Sequence, residues 1–129
     1  MTVKNLFIFD AILCLIFGLP LVFSPQYLAN LFLVDPVLTD GVIATFRSYG
    51  IILSGGGIAL LSARNSLASK ARRGFLIFIA ISGTLTAINN IHAVITGIGN
   101  NNSWGGIVPT AILSIWGIIL LFREKVNEV

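Results

Sequence analysis

The sequence predicts an all-α integral membrane protein: a left-handed bundle of four spans with a short helix at its outer interface. Three observations predict it. Hydrophobic residues make up 56% of the 129 residues and charged residues only 10%, where a soluble domain carries about 25% charge. Four apolar runs stand out, at residues 5–23, 42–62, 74–98 and 105–122, each near the roughly 20 residues that cross a bilayer core as a helix. Seven of the eight Lys and Arg fall on one side of those runs. A soluble domain of this size would need a polar shell that the composition does not supply. Strand spans are excluded, because the runs do not alternate and four strands do not close a barrel in lipid. Residues 1–129 read as a single four-span domain.

Span 1 follows Lys4 and runs apolar to Phe23, interrupted by Asp10. No A-x-A-like cleavage site follows it, so it reads as a retained span and not a signal peptide. Cys14 is the only cysteine. One thiol supports neither a disulfide framework nor a cysteine metal site, and it reads as a small apolar side chain. Asp10, near the inner end, is expected to meet Ser62, Arg64 or the basic inner link. A proton relay there lacks a second buried carboxylate. Neither end carries a lipidation motif.

The first outer link, 24–41, opens on Ser24-Pro25, a helix N-cap followed by proline at the first helical position. Tyr27, Leu28, Leu31 and Phe32 then form one apolar stripe. This predicts an interfacial helix of one to three turns that ends before Asp35-Pro36. Asp40 then lies near the positive end of the span 2 helix. Span 2 carries Gly50, Ser54, Gly55 and Ala59 at four-residue spacings, and span 4 carries Gly106, Thr110 and Ser114. Small residues so spaced let helix backbones approach closely, within the bundle or across a dimer. Pro109 falls near the start of span 4, where a missing N–H costs little.

Span 3 is the most polar. At helical pitch Ser82, Thr86, Asn89, Ala93 and Thr96 fall within about 40° of one line, with Asn90 and His92 about 80° to either side. That half must face protein or water, and the half with Ile77, Ile81, Ile88 and Ile95 suits lipid. The short link 99–104 makes spans 3 and 4 antiparallel neighbours. The link 63–73 is expected to do the same, less strictly, for spans 2 and 3. Asn101-Asn102-Ser103 matches a glycosylation acceptor, read here as chance so close to a membrane. Trp104 fits an aromatic belt. No internal duplication is visible.

The basic residues set the orientation. Lys4, Arg64, Lys70, Arg72, Arg73, Arg123 and Lys125 share one side, while the outer links hold Asp35 and Asp40 and no base. The positive-inside rule puts both termini and the middle link in the cytoplasm, in a bacterial inner membrane or its equivalent. The net charge of +3 is then a topology signal. It points to anionic lipid headgroups and away from nucleic acid.

Arg47 is the exception, about 8 Å below the outer surface on span 2. A charge within a span is costly and usually faces the bundle interior. Arg47, Tyr49, Asn89, Asn90, His92 and Thr96 therefore form a candidate outer-half ligand site, suited to an anion or a carbonyl group. Two simpler readings compete: Arg47 snorkels to phosphates, or it pairs with Asp35 or Asp40. His92 could ligate a haem or pigment, although a lone intramembrane histidine is more often hydrogen-bonded within the bundle. The sequence holds no metal cluster, catalytic triad or phosphate loop, so no catalytic residue is named and no cofactor is required.

The Ser24-Pro25 helix, the Arg47-x-x-Gly50 entry to span 2, its glycine-rich remainder and the basic inner link give a layout that resembles small bacterial four-span proteins of the DoxX-like kind. Some of these are linked to quinone-coupled sulfur oxidation. The resemblance implies a membrane accessory role, and no catalytic residue carries over. The leading expectation is a non-enzymatic accessory or assembly subunit of a larger membrane complex, or a homo-oligomer. The alternatives are binding or transport of a small molecule or ion at the outer-half site, and a quinone- or pigment-binding redox accessory.

Overall fold

The computed structural model describes residues 2–123. Lys125, one of the basic residues counted above, lies outside the described residues. Five helices follow in order: α1 (Val3–Phe23), α2 (Pro25–Phe32), α3 (Asp40–Ala63), α4 (Lys70–Ile95) and α5 (Trp104–Arg123), with a 3-10 turn at Asn101–Ser103. Among the described residues there is no strand, only an isolated bridge between Leu33 and Gly99. The structure is all-helical, and four of its helices are long and apolar enough to cross a membrane.

Caps place the helix ends. Thr2, Thr39 and Ser69 accept hydrogen bonds from the backbone N–H groups of Asn5, Val42 and Arg72, which opens α1, α3 and α4. The Ser69 cap starts α4 four residues before the expected position 74. At the other end α4 stops at Ile95, short of the expected 98, because Gly97 turns the chain at φ 77°. The N–H of Gly97 donates to Val94 O and that of Ile98 to Ala93 O, a paired C-terminal closure that favours glycine at the left-handed position. Pro109 is the sixth residue of α5, in its second turn.

α2 forms as its proline start predicts, with Pro25 at the first position, but the Ser24 side chain makes no capping hydrogen bond. Leu28 is buried and Phe32 half-buried, whereas Tyr27 of the expected stripe is exposed. The Phe32 ring packs on Phe17 of α1 at 5.7 Å. The second link closes over the end of α2. Asn100 Nδ2 donates to Leu31 O and Leu33 O, Asn102 Nδ2 to Leu31 O, and Ser103 Oγ to Phe32 O. These side chains satisfy carbonyls that a helix C-terminus leaves open. The apparent glycosylation triplet thus lies in a latch between the two links at this end.

The long helices pack as two pairs, α1 with α3 and α4 with α5, and α1 also touches α5. α3 and α4 barely approach each other, so the expectation that the link 63–73 makes them close neighbours is corrected. The reason lies in the α1–α3 seam. A Cβ built on Gly50 would stand 2.7 Å from Gly18 O, and one on Gly18 2.6 Å from Ser54 Oγ. Only glycine allows backbones this close, and the seam holds α3 against α1. The core gathers at one end, where Leu6, Phe7, Leu60, Leu76, Ile79 and Leu120 are buried together. Lys4, Arg64, Lys70, Arg72, Arg73 and Arg123 lie at that same end, called here the basic end. Arg64 donates to Leu61 O at the close of α3, and Arg72 to Ser66 O across the link.

Candidate functional site

Beyond the core, the separation of α3 from α4 leaves a cavity of about 510 Å³. All four long helices line it. α1 contributes a stripe of Asp10, Leu13, Cys14, Phe17 and Leu21, which are neighbours at helical spacing. α4 contributes Ser82, Thr86 and Asn90, part of the polar half that its periodicity predicts. Its isoleucines Ile77, Ile81, Ile88 and Ile95 are exposed on the outside of the bundle. Tyr49 and Ile52 of α3 face Phe78 and Leu85 of α4 across the gap, and all four are also exposed, so the cavity opens sideways between these helices. A largely apolar pocket of this size with a few convergent polar groups is the usual form of a small-molecule site.

Some of the polar groups are already committed. Ser82 Oγ donates to Phe78 O, Thr110 Oγ1 to Gly106 O, and Ser114 Oγ to Ala80 O. Others are not. Asp10, Tyr49, Thr86 and Asn90 make no side-chain hydrogen bond or ion pair among the described residues. No Lys, Arg or His lines the cavity. Asp10 therefore does not meet Ser62, Arg64 or the basic link. Ser62 donates to Ile58 O, Arg64 is engaged at Leu61 O, and Asp10 sits about 10 Å along α1 from its start, turned inward. An ionised carboxyl at the middle of a span costs at least about 2.5 kcal/mol in lipid, and such groups mark pathways or binding sites.

The six residues of the expected outer-half site divide. Tyr49 and Asn90 line the cavity. Arg47, Asn89, His92 and Thr96 are exposed and do not. Gly50 packs beside Leu21 and Val22 at the end of α1, so Arg47, about 4.5 Å further along α3, lies where α1 no longer covers it. It pairs with neither Asp35 nor Asp40. Thr96 Oγ1 donates to His92 O and Ala93 O within its own helix end. A haem or pigment held by His92 would sit on the flank of α4.

The expected packing residues divide too. Gly50 and Ser54 lie in the α1–α3 seam. Gly55 is exposed with open space around it, and Ala59 is half-buried. Thr110 and Ser114 pack beside Gly83 of α4, and Gly106 lies nearest Phe17. Sequence reasoning missed Asp10, Ser82 and Thr86 as site residues. The signal was present: Asp10 heads the stripe of Leu13, Cys14, Phe17 and Leu21 at i+3, i+4, i+7 and i+11. Among the described residues no group of three His, Cys, Asp or Glu could hold a metal ion. Compared with known proteins, the chain matches no family model, no curated protein and no solved structure.

Proposed function

We propose that this chain is an integral membrane protein that binds, or carries, a small molecule inside its bundle without catalysing a reaction. The observation that carries the reading is the meeting of Asp10, Tyr49, Thr86 and Asn90, none with a side-chain partner among the described residues, in one cavity with apolar walls. Four apolar helices of spanning length and an apolar outer surface support insertion in a bilayer. The charge at the basic end supports an orientation with both termini and the α3–α4 link in the cytoplasm of a bacterial inner membrane or its equivalent. The gap between α3 and α4 then faces lipid, which suits a ligand that arrives from the bilayer. The DoxX-like resemblance enters this proposal as one of layout.

The test is purification of the full chain in lipid nanodiscs, followed by native mass spectrometry. The expected result is a retained small molecule that Thr86→Phe, which fills the cavity, displaces. Equal bulk lipid on both proteins and no other bound species would overturn the reading.

A second reading has its own observation. α3 packs on α1 along one side, and Gly55 on an open side is exposed with nothing within 4 Å. A bare small residue on a span suits docking of another helix, as in an accessory or assembly subunit or a homo-oligomer. Purification of the protein in a stoichiometric larger complex supports this reading. A monomeric chain removes it.

A further inference from the structure

The cavity is chemically one-sided. It holds one ionisable acid, Asp10, and its other titratable lining groups are the thiol of Cys14 and the phenol of Tyr49. No basic side chain of any of the four helices reaches it. The basic residues of the link, close in sequence register to the same end, are turned elsewhere: Arg64 to the last turn of α3 and Arg72 to Ser66 O. The cavity walls include Leu13, Phe17, Phe78, Ile79 and Leu113, with Ser82 and Ser114 already bonded to backbone carbonyls. Among the described residues the Asp10 carboxyl accepts no side-chain hydrogen bond and pairs with no cation. In an apolar setting a group of this kind is satisfied by a ligand that brings the donor and the charge.

We infer that the ligand is an amphipathic amine, bound with its ammonium group against Asp10 and its apolar body along Phe17 and Phe78. This rests on the reading of the cavity as a binding site, and it adds the ligand class. The chemistry of the lining argues for an amine over an anion or a neutral carbonyl compound, because its one carboxyl group is an acceptor and no Lys, Arg or His lines the cavity. Counted along each helix from the basic end, Asp10 lies about 10 Å in and Asn90 about 30 Å. The exposed lips of the gap, Ile52, Phe78 and Leu85, admit an apolar body from the side. The amine and the carboxyl form the same hydrogen-bonded pair wherever the shared proton rests.

The experiment compares three probes of one shape, 4-phenylbutylamine, 4-phenylbutanol and 4-phenylbutyrate, at neutral pH. Binding to the full chain in nanodiscs is measured by calorimetry, with empty nanodiscs as the blank, on the wild type, Asp10→Asn and Thr86→Phe. The amine is expected to bind about tenfold tighter than the alcohol, and the carboxylate weakest. Asp10→Asn, which keeps shape and removes the charge, is expected to bring amine and alcohol level. Thr86→Phe should abolish both. If amine and alcohol bind the wild type equally and Thr86→Phe abolishes both, the cavity is a site but the ligand class is wrong. An amine preference that persists in Asp10→Asn overturns the inference as well. If no probe binds above the blank, as when another helix fills the gap, both the inference and the binding reading fail.

Discussion

The hydroxyl of Ser114 in α5 donates to the backbone carbonyl of Ala80 in α4 across 2.9 Å, and Thr84 Oγ1 of α4 lies 2.7 Å from the same hydroxyl. Ser114 is almost fully buried. With Thr84 it ties the two helices at mid-length, beside the cavity. In lipid such a bond is worth about 0.6 kcal/mol on average and up to about 1.7 kcal/mol. Ser114→Ala is expected to destabilise the fold by about 1 kcal/mol. Thr84→Ala should cost less, since Ser114 then keeps its bond to Ala80. Reversible unfolding in bicelles, with the double mutant to close the cycle, measures both.

Two glycines five residues apart in α3 should respond in opposite ways. A methyl group at Gly50 meets Gly18 O at 2.7 Å and Leu21 Cβ at 2.8 Å, so Gly50→Ala must push α1 and α3 apart. The expected cost is about 1–3 kcal/mol. Gly55 has open space, and Gly55→Ala is expected to stabilise the monomer by about 0.5–1 kcal/mol, through the lower entropy of the unfolded chain and better helix propensity. Unfolding midpoints compare the two. If α3 is a docking face for a second copy, Gly55→Ala also weakens self-association, which analytical ultracentrifugation in detergent reads separately.

The latch over α2 depends on Asn100, whose amide reaches Leu31 O at 3.0 Å and Leu33 O at 3.3 Å, and whose backbone N–H donates to Phe32 O. Asn100→Ala removes the side-chain bonds and leaves the backbone bond. The expected loss is about 1 kcal/mol, confined to this end. Hydrogen exchange should quicken across 25–34, where the side chains of Asn102 and Ser103 and the backbone bonds of Asn100 and Val34 then hold the helix end. Unchanged exchange in α2 would show that the aromatic contact of Phe17 and Phe32 suffices.

The proposed orientation predicts which sites a membrane-impermeant thiol reagent reaches. On a Cys14→Ser background, a cysteine at Leu67 in the basic link should be labelled only after the cytoplasmic face is opened. A cysteine at Val37 in the first link should be labelled in intact cells. Both positions are more than four-fifths exposed, so accessibility is decided by sidedness. The reverse pattern would overturn the positive-inside assignment.

The spans were legible because a run of apolar residues and a spanning helix obey the same length rule. The ends were less so. Ser69 and Gly97 carry the cap and the stop of α4, but each lies beside residues that hydropathy averages away: the basic turn before Gly74, and Ile98 after the glycine. The pairing of α4 with α5 was legible in the short link between them, but that of α1 with α3 was not. Gly18 has no small partner at four-residue spacing, and only the crossing shows that it faces Gly50 and Ser54. The site followed from that crossing. Arg47 drew attention as a charge within a span, yet whether it faces inward depends on where α1 ends. Asp10 was read by its depth, when the stripe it heads was the better guide to its direction.

The last prediction separates the two sets of residues that sequence and structure nominate. If binding occurs in the cavity, residues that line it control affinity and residues on the flank do not. Arg47→Leu and His92→Ala, both outside the lining, are expected to leave the affinity for 4-phenylbutanol within about twofold of the wild type. Thr86→Val and Tyr49→Phe each remove a hydroxyl that has no partner among the described residues and keep the shape. Asn90→Leu removes an amide at the upper end. A hydrogen bond to a neutral ligand is worth about 0.5–1.5 kcal/mol, so whichever of the three engages the probe should weaken it about two- to tenfold. The probe is too short to reach every group at once, so the pattern also maps its pose. Loss at Thr86 with none at Asn90 places it short of the Asn90 end, and the reverse places it at that end. A large loss in Arg47→Leu with none in the other three moves the site to the exposed flank of α3, and with it the charge of the preferred ligand changes sign.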